Sequence, residues 1–401
     1  MKPAKIFSYS KAILLIFFLL ISSVTLAQTP TGSSNGDYIP KELTSRLLAL
    51  AEEAITTQYQ ILVSGDIEGS LKNKQLAHFY REAMMNQFSA QVYRRNKLKE
   101  TKQDYKDFKT ELTINLANKE GNKIVLNITE HTKLKLDVPG GPEATEFKQD
   151  HLFEFSYEKQ QWRLIKDTIL RPEPAPINDK NQLLPNNIHM IPLTDAPKGY
   201  QGKKIQGGLT NMESFGAYLI PASFISSSPQ SGFNRVAAIN YARTFALTYN
   251  PHYYRFRNDC TNFASQTMLT GGWQMSGLGA GLDRADPDSW YYSCLSLFRP
   301  IATYSWGAAY NFNVFILRAN RVQGVQFYQD LDEGDLIFAD WDSLDGTHQP
   351  DGRVDHVMIV TGKDTEGNVY VSYHTNDHLD RAMTDIRIAE PNANFFGDRV
   401  R

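Results

Sequence analysis

Four stretches that alternate apolar and polar residues follow one another between residues 108 and 169, and they constrain the fold more than any other feature. They cover 108–116, 123–136, 147–157 and 162–169, and short turn segments separate them. Alternation with a period of two is typical of strands that bury one face. Because the connections are short, neighbouring strands are expected to be antiparallel. The sequence therefore predicts an antiparallel meander.

Helical patterns precede this meander. Apolar residues recur at helical spacing from 43 to 55, and a further helical stretch covers 71–91. Helices followed by strands favour an α+β domain in which the helices cover one face of an antiparallel sheet. We assign this domain to residues 41–171.

The order of elements in 41–171 is similar to that of the nuclear-transport-factor-like cone fold. Asp150, His151 and Glu154 are the polar residues of interest on its third strand. Strand alternation, however, predicts that they lie on a solvated face.

The N-terminus has the layout of a secretory signal peptide. Lys2, Lys5 and Lys11 precede an apolar run at 12–24, and small Ala27 follows it. We predict a signal peptide at 1–27 and a flexible leader at 28–40, so the mature protein is expected to be extracellular or periplasmic. An uncleaved anchor is the alternative, although the apolar run is short for a membrane span.

A second domain follows a Pro-rich segment at 171–176. Residues 172–231 are interpreted as a linker and irregular region, and 232–401 as the C-terminal domain. A helix is predicted at 233–248, and strands at 334–341, 354–361 and 369–375. The formal net charge of −2 disfavours nucleic acid as a partner.

The block from Arg257 to Ala264 places a cysteine at a helix start. Asn258 and Asp259 are residue types that favour the N-cap, a helical apolar pattern follows, and Gly271 begins the stop signal. Unpaired N–H groups and the positive end of the helix dipole favour the thiolate there. Cys260 is therefore predicted to be an ionised nucleophile, which requires a base.

His356, at the start of a β-branched strand, is the predicted base. If Thr361 paired with Val369, His356 would lie opposite His374, with Asn376 two residues further on the same face. His374 or Asn376 would then orient the imidazole of His356. A one-residue slip would instead present Tyr373 or Thr375.

Three other readings of these residues compete with catalysis. Cys260 and Cys294 could form a structural disulfide in an oxidising compartment. Calcium could bind the acidic loop, although its spacing departs from an EF-hand. Zinc could bind the clustered histidines, although their spacing fits no ordinary ligand set. We expect no cofactor. The acidic loop contains Asp340, Asp342, Asp345, Asp351 and Asp355, and the histidines are His348, His356, His374 and His378.

Several motifs together resemble the bacterial "putative amidase domain" family over about residues 232–390. They are Tyr-Ala-Arg at 241–243, Tyr-Asn-Pro at 249–251, Asn-Asp-Cys-Thr-Asn-Phe-Ala-Ser-Gln at 258–266, Gly-Gly-Trp at 271–273, Ser-Trp at 305–306, Gly-Asp at 334–335, Asp-His-Val at 355–357 and His-Thr at 374–375.

That family looks like a branch of the papain-like cysteine peptidases, near the NlpC-type cell-wall peptidases. The resemblance implies a helix bearing Cys260 packed on an antiparallel sheet bearing His356, and hydrolysis of amide bonds in peptidoglycan peptides. The expected partner is thus a peptide or peptidoglycan. A non-catalytic binding protein of the cell envelope is the alternative, a structural envelope protein is a third reading, and the oligomeric state stays open.

Overall fold

The fold is known from a computed structural model. The predicted signal peptide, most of the predicted leader and of the predicted linker, and Cys294 lie outside the described residues. In the described ranges no helix is long and apolar enough to cross a membrane. The structure describes residues 39–72, 81–170, 190–198, 200, 232–279, 281–293, 301–341 and 349–401.

The N-terminal half carries helices followed by long strands, as the sequence predicts. The four predicted strands are confirmed, and the second has the predicted bounds. The elements are α1 (Lys41–Ser64), α2 (Ile67–Leu71), α3 (Arg81–Glu100), β1 (Tyr105–Glu120), β2 (Lys123–Leu136), β3 (Ala144–Glu158) and β4 (Gln161–Ile169).

The C-terminal half alternates short helices and strands. The predicted helix at 233–248 and the predicted strands are confirmed with small changes of their bounds. The elements are α4 (Arg235–Phe245), α5 (Cys260–Thr270), β5 (Tyr292–Ser293), β6 (Ile301–Ala302), α6 (Tyr304–Gly307), α7 (Ala309–Arg318), β7 (Val322–Val325), β8 (Leu336–Asp340), β9 (His356–Lys363), β10 (Val369–Tyr373), β11 (His378–Ala382), α8 (Met383–Ala389) and β12 (Asn394–Val400).

Helix α1 covers one face of the N-terminal strands. Leu47, Ala51 and Ile55 recur at helical spacing and are buried, as their pattern predicts. The helix ends at Gly65, whose φ of 77° is the left-handed conformation that glycine adopts without a Cβ penalty. The N–H of Gly65 donates to the carbonyl of Ile61. This helix and the inner face of β2 and β3 form the N-terminal core.

One sheet runs through both halves of the chain. Its order is β1-β2-β3-β11-β10-β9-β8-β12-β7, β4 pairs with β3, and the strand pairs are antiparallel. The halves meet where β3 pairs with β11, at Phe147 with His378 and Glu146 with Leu379. The α+β prediction is confirmed in this form, a large antiparallel sheet with helices packed on it. The domain boundary near 171 stays a prediction.

Buried side chains also join the halves. Arg94 on α3 forms a double hydrogen bond with Asp385 on α8, whose side chain is 1% exposed. Gln103 donates to the hydroxyl of Tyr370 at 2.9 Å. Tyr370 packs within the N-terminal core although it belongs to β10. The two halves therefore share part of one core.

Helix α5 lies inside the C-terminal half. Every residue from Cys260 to Met268 is buried, and Phe263 packs in one cluster with Val357 and Ile359 of β9. A short helix that is buried all round depends on its surroundings rather than on its own propensity. The cysteine is therefore carried by a rigid part of the core.

Candidate active site

Cys260 is the first residue of α5. Asp259 takes the N-cap position, and the helix closes at Gly271, so the predicted start and stop are both confirmed. The residue is 4% exposed and its thiol is free. In this structure no disulfide engages Cys260. The first turn of a buried helix thus carries an unmodified thiol.

The surroundings of Cys260 favour the neutral thiol over the predicted thiolate. Burial raises its pKa above the ordinary value, and the charge of Asp259 raises it further. The hydroxyl of Thr261, 3.7 Å from the sulfur, and the backbone N–H of Val357 act in the opposite direction. The sequence-based argument weighed the helix N-terminus but could not weigh burial, which acts in the opposite direction on the pKa.

The β9–β10 hairpin has a different register from the predicted one. Val369 pairs with Lys363 rather than with Thr361, and a β-bulge at Thr361 then shifts the pairing by one residue. The hydroxyl of Thr361 donates to Asp380 at 2.7 Å. The prediction was wrong because the sequence does not reveal a bulge.

The new register places His356 on the face of the sheet that carries Tyr373. The ring of His356 meets that of Tyr373 edge-on at 5.0 Å, and the ring of Trp341 lies 4.8 Å away. Tyr373 is one of the two residues expected near His356 if the hairpin register slipped by one residue. Val357, the next residue, points to the other face and packs in one cluster with Cys260.

The imidazole of His356 is buried. Its Nε2 atom has no hydrogen-bond partner among the described residues, and no hydrogen bond there joins it to Cys260. Burial, and to a smaller extent the charge of His374, lower the pKa of His356 to about 3. At neutral pH, His356 is therefore a neutral imidazole, in which one ring nitrogen carries no proton.

His374 does not orient His356, contrary to expectation. Its Nδ1 lies 2.7 Å from Oδ2 of Asp259, and its Nε2 lies 2.7 Å from the carbonyl oxygen of Phe245. Burial alone would lower the pKa of His374, but the hydrogen bond to Asp259 and the charge of Asp377 raise it above the ordinary value. Both ring nitrogens donate, so His374 is an imidazolium.

Asn376 lies beyond the end of β10 and does not reach the predicted position either. Thr375 and Asn376 have φ values of 72° and 64°, which end the strand after Tyr373. The backbone carbonyl of Asn376 receives a hydrogen bond from Nδ1 of His378. The predicted diagonal pairing requires an extended chain at this point.

Asp259 has a role that its residue type did not reveal. Its side chain makes no capping bond to the helix. Instead Oδ1 accepts from the N–H of Phe256 and from Nδ2 of Asn262, while Oδ2 faces His374. Its own N–H donates to the hydroxyl of Thr375 at 2.9 Å. The residue before Cys260 is thus fixed from several directions.

Other residues of the recognised motifs brace α5. The hydroxyl of Tyr241 donates to Gln266, and Nε1 of Trp306 donates to Oδ1 of Asn262 at 2.8 Å. Arg243 donates to the carbonyl of Thr361 at 2.7 Å. These polar residues hold buried elements together rather than facing a substrate.

Two described carboxylates of the acidic loop accept hydrogen bonds from backbone N–H groups of the same loop. Asp340 accepts from the N–H groups of Asp351 and Gly352, and Asp355 accepts from that of Trp341. Asp342, Asp345 and His348 lie outside the described residues. In the part of the chain that is described, no group of three histidine, cysteine or acidic side chains could hold a metal ion.

A second buried polar cluster lies in the N-terminal half. His151 is 2% exposed, and its ring nitrogens lie 2.8 Å from Asp167 and 2.9 Å from Glu130. Glu130 also accepts from Tyr59 and Gln149. The expectation of a solvated face was wrong for His151, because this face of β3 is covered by α1.

The charge of His151 follows from these contacts. Burial alone would lower the pKa of His151, but its bonds to Asp167 and Glu130 raise it to about 9. It is therefore a buried imidazolium between two carboxylates at neutral pH.

A groove at the junction of the two halves does not coincide with the cysteine. It has a volume of about 750 Å³ and is lined by both halves, including Lys133, Glu143, Arg243 and Lys363. Lys363 ends β9 and His356 begins it, so seven residues at about 3.3 Å each separate the groove from the histidine. The groove is a separate feature from the candidate active site.

Comparison with known proteins gives a family match for most of the C-terminal half. Residues 232–396 match the family model described as "Putative amidase domain". This match supports the amidase resemblance for that part of the chain and leaves the N-terminal half outside it.

Two curated relatives, both from Bacillus subtilis (strain 168), are similar to the chain. One is "Uncharacterized protein YhbB", 31% identical over 154 residues, which are 36% of this chain and 42% of the relative. The other is "Uncharacterized protein YjcM", 27% identical over 161 residues, which are 39% of this chain and 34% of the relative. The chain thus spans less than half the length of either. No solved structure is a significant match.

Proposed function

We propose that the C-terminal half is a cysteine-dependent amide hydrolase of papain-like type, with Cys260 as nucleophile and His356 as base. The observation that carries the proposal is the placement of Cys260. It is a free thiol on the first turn of a buried helix, and its sulfur faces the N–H of Val357, the neighbour of His356. The match to an amidase family supports the reaction class.

The chemistry starts from a neutral pair. The Cys260 sulfur attacks the amide carbonyl while the imidazole of His356 accepts the thiol proton. The negative charge that develops on the carbonyl oxygen is stabilised by backbone N–H groups at the start of α5. His356 then gives the proton to the leaving amine, and water hydrolyses the thioester, which restores the thiol.

The ring of His356 must approach the sulfur for this step. It packs against Trp341 and Tyr373, and its Nε2 atom makes no hydrogen bond within the described residues. His356 lies on the face of β9 opposite to that of Val357, which packs in one cluster with Cys260, so rotation of its side chain alone does not bring the ring to the sulfur. We propose that substrate binding selects a rearranged start of β9 in which His356 reaches the sulfur, since a ligand shifts the equilibrium towards the state it binds better.

The proposed substrate is a peptide of the bacterial cell wall. Two arguments support it: the predicted secretory signal at 1–27, which favours a location outside the cytoplasm, and the resemblance to cell-wall peptidases. The net charge of −2 gives no basic field for a polyanion such as nucleic acid.

Hydrolysis by purified variants tests the proposal. The mature chain is incubated with purified peptidoglycan and with a peptide amide, and released amino groups are identified by mass spectrometry. We expect Cys260→Ser and His356→Ala to lose activity by a factor of 10³ or more, on the order of what an essential nucleophile or base contributes.

Cys294→Ser is the matched control and is expected to keep the activity. If Cys260→Ser hydrolyses as fast as the unchanged chain, the proposal is wrong. If no substrate is hydrolysed and Cys260 resists iodoacetamide at neutral pH, a non-catalytic binding protein is the better description.

A further inference from the structure

We propose that Asp259 and His374 form a positioning ion pair, which fixes the start of α5 and balances the charge beside the nucleophile. The inference rests on the proposed function for the role of Cys260. It replaces the expected role of His374 as the residue that orients His356. Neither residue of the pair is assigned contact with the substrate, so both act through Cys260.

The carboxylate of Asp259 is held from three sides. The N–H of Phe256 and the Nδ2 of Asn262 donate to Oδ1 at 2.8 and 2.9 Å, and His374 donates to Oδ2 at 2.7 Å. The carboxylate is 1% exposed. A buried carboxylate with three donors is locked in place, and so is the peptide bond that links it to Cys260.

His374 ties three elements together at this point. Its Nε2 donates to the carbonyl of Phe245, the last residue of α4, and a helix C-terminus favours a cation. Its ring stacks on Phe263 of α5 and contacts Tyr249, with centroid distances of 4.3 Å to each. Its backbone follows β10. The imidazolium therefore fixes α5 against α4 and the sheet.

The charges that face His374 come from several elements. Asp259 precedes α5, and Asp377 follows β10 and accepts from the hydroxyl of Tyr249 at 2.9 Å. The guanidinium of Arg255 lies over the ring of Tyr249, 3.9 Å from its centroid, and offsets part of the charge of Asp377. His356 is neutral, so it adds no charge. His374 is the cation that contacts Asp259 directly.

The two charges of the pair are expected to change the thiol pKa of Cys260 in opposite directions. The negative charge of Asp259 disfavours a thiolate at Cys260, and the positive charge of His374 compensates it. Removal of Asp259's charge should make the thiol more acidic, whereas removal of His374's charge should make it less acidic. If the pair only held the structure together, loss of either charge would shift the thiol pKa of Cys260 in the same direction.

The pH profile of Cys260 alkylation distinguishes these cases. The mature chain and the variants Asp259→Asn, His374→Gln and the double variant react with iodoacetamide between pH 6 and 10. Intact-mass spectrometry of a Cys294→Ser background counts the adduct on Cys260 alone. Circular dichroism verifies that each variant is folded.

We expect Asp259→Asn to lower the thiol pKa and His374→Gln to raise it, each by about one unit for a neighbouring charge, which is about tenfold in rate near neutral pH. The double variant should return close to the unchanged chain. Tyr241→Phe, which loses an uncharged contact to Gln266, is the control and should leave the profile unshifted.

Shifts of the same sign in both single variants, or no shift in either, overturn the proposal. Histidine ¹⁵N NMR of the unchanged chain provides a test that needs no variant to fold. It should show one buried imidazole protonated on both nitrogens and bonded to a carboxylate beside α5, and a neutral His374 overturns the ion pair. Alkylation does not require turnover, so loss of hydrolysis in Cys260→Ser remains a separate test of the proposed function.

Discussion

Alkaline pH should destabilise the protein through His151. The pKa of His151 is about 9 in the folded chain, against an ordinary value of 6.5. Because the folded value is the higher one, the contribution to stability is complete below pH 6.5 and is lost as the pH rises through 9. The difference of about 2.5 pKa units corresponds to about 3 kcal/mol at 1.36 kcal/mol per unit.

The window from pH 7 to 9.5 isolates this effect. Burial raises the pKa of Asp398 to about 7, so its own titration lies largely below the window. Integration between these limits gives a loss of about 2 kcal/mol from His151. Urea unfolding followed by circular dichroism measures the free energy of unfolding at both pH values, with His151→Gln as the control.

The unchanged chain should lose about 2 kcal/mol more than His151→Gln across this window. Gln has no titration there, so subtraction removes the contributions of the groups that do not contact His151. Equal losses in the two proteins would refute the buried imidazolium between Glu130 and Asp167.

Two further predictions concern the shared core. Arg94→Ala should cost about 3 kcal/mol in the free energy of unfolding, because it leaves the buried carboxylate of Asp385 with fewer partners. Lys97→Ala, at an exposed pair, should cost little. Phe338→Ala, at a fully buried position of β8, should cost about 4 kcal/mol, and Leu116→Ala, which is half exposed, should cost little. Urea unfolding measures all four, and similar costs within either pair would contradict the described burial.

The sequence predicted elements far better than contacts between distant segments. β2 has the predicted bounds because strict alternation marks a strand with one buried face. The start of α5 at Cys260 followed from residue types within one turn of the chain. These signals are local, so a single sequence contains them.

The errors concern features that depend on tertiary structure. The bulge at Thr361 changed which face of the hairpin each residue occupies, and His356 meets Tyr373 instead of His374. The burial of His151 depends on a helix that covers the strand face. The preference of Cys260 for the neutral thiol depends on its burial. No local pattern reports any of these.

The continuity of the sheet is a further tertiary result. The sequence indicates two α+β parts, but nothing in it shows that β3 pairs with β11 across more than two hundred intervening residues. Long-range pairings carry no periodic signal of their own. The site therefore lies in a scaffold to which the N-terminal half contributes strands and core.

Trapping the acyl-enzyme is the direct test of Cys260 as the nucleophile. The mature chain is mixed with a peptide amide, quenched in acid within the first turnover, and digested for mass spectrometry. We expect a thioester on Cys260 in both the unchanged chain and Cys294→Ser. Turnover without any adduct on Cys260, or an adduct that forms only on another residue, would contradict it.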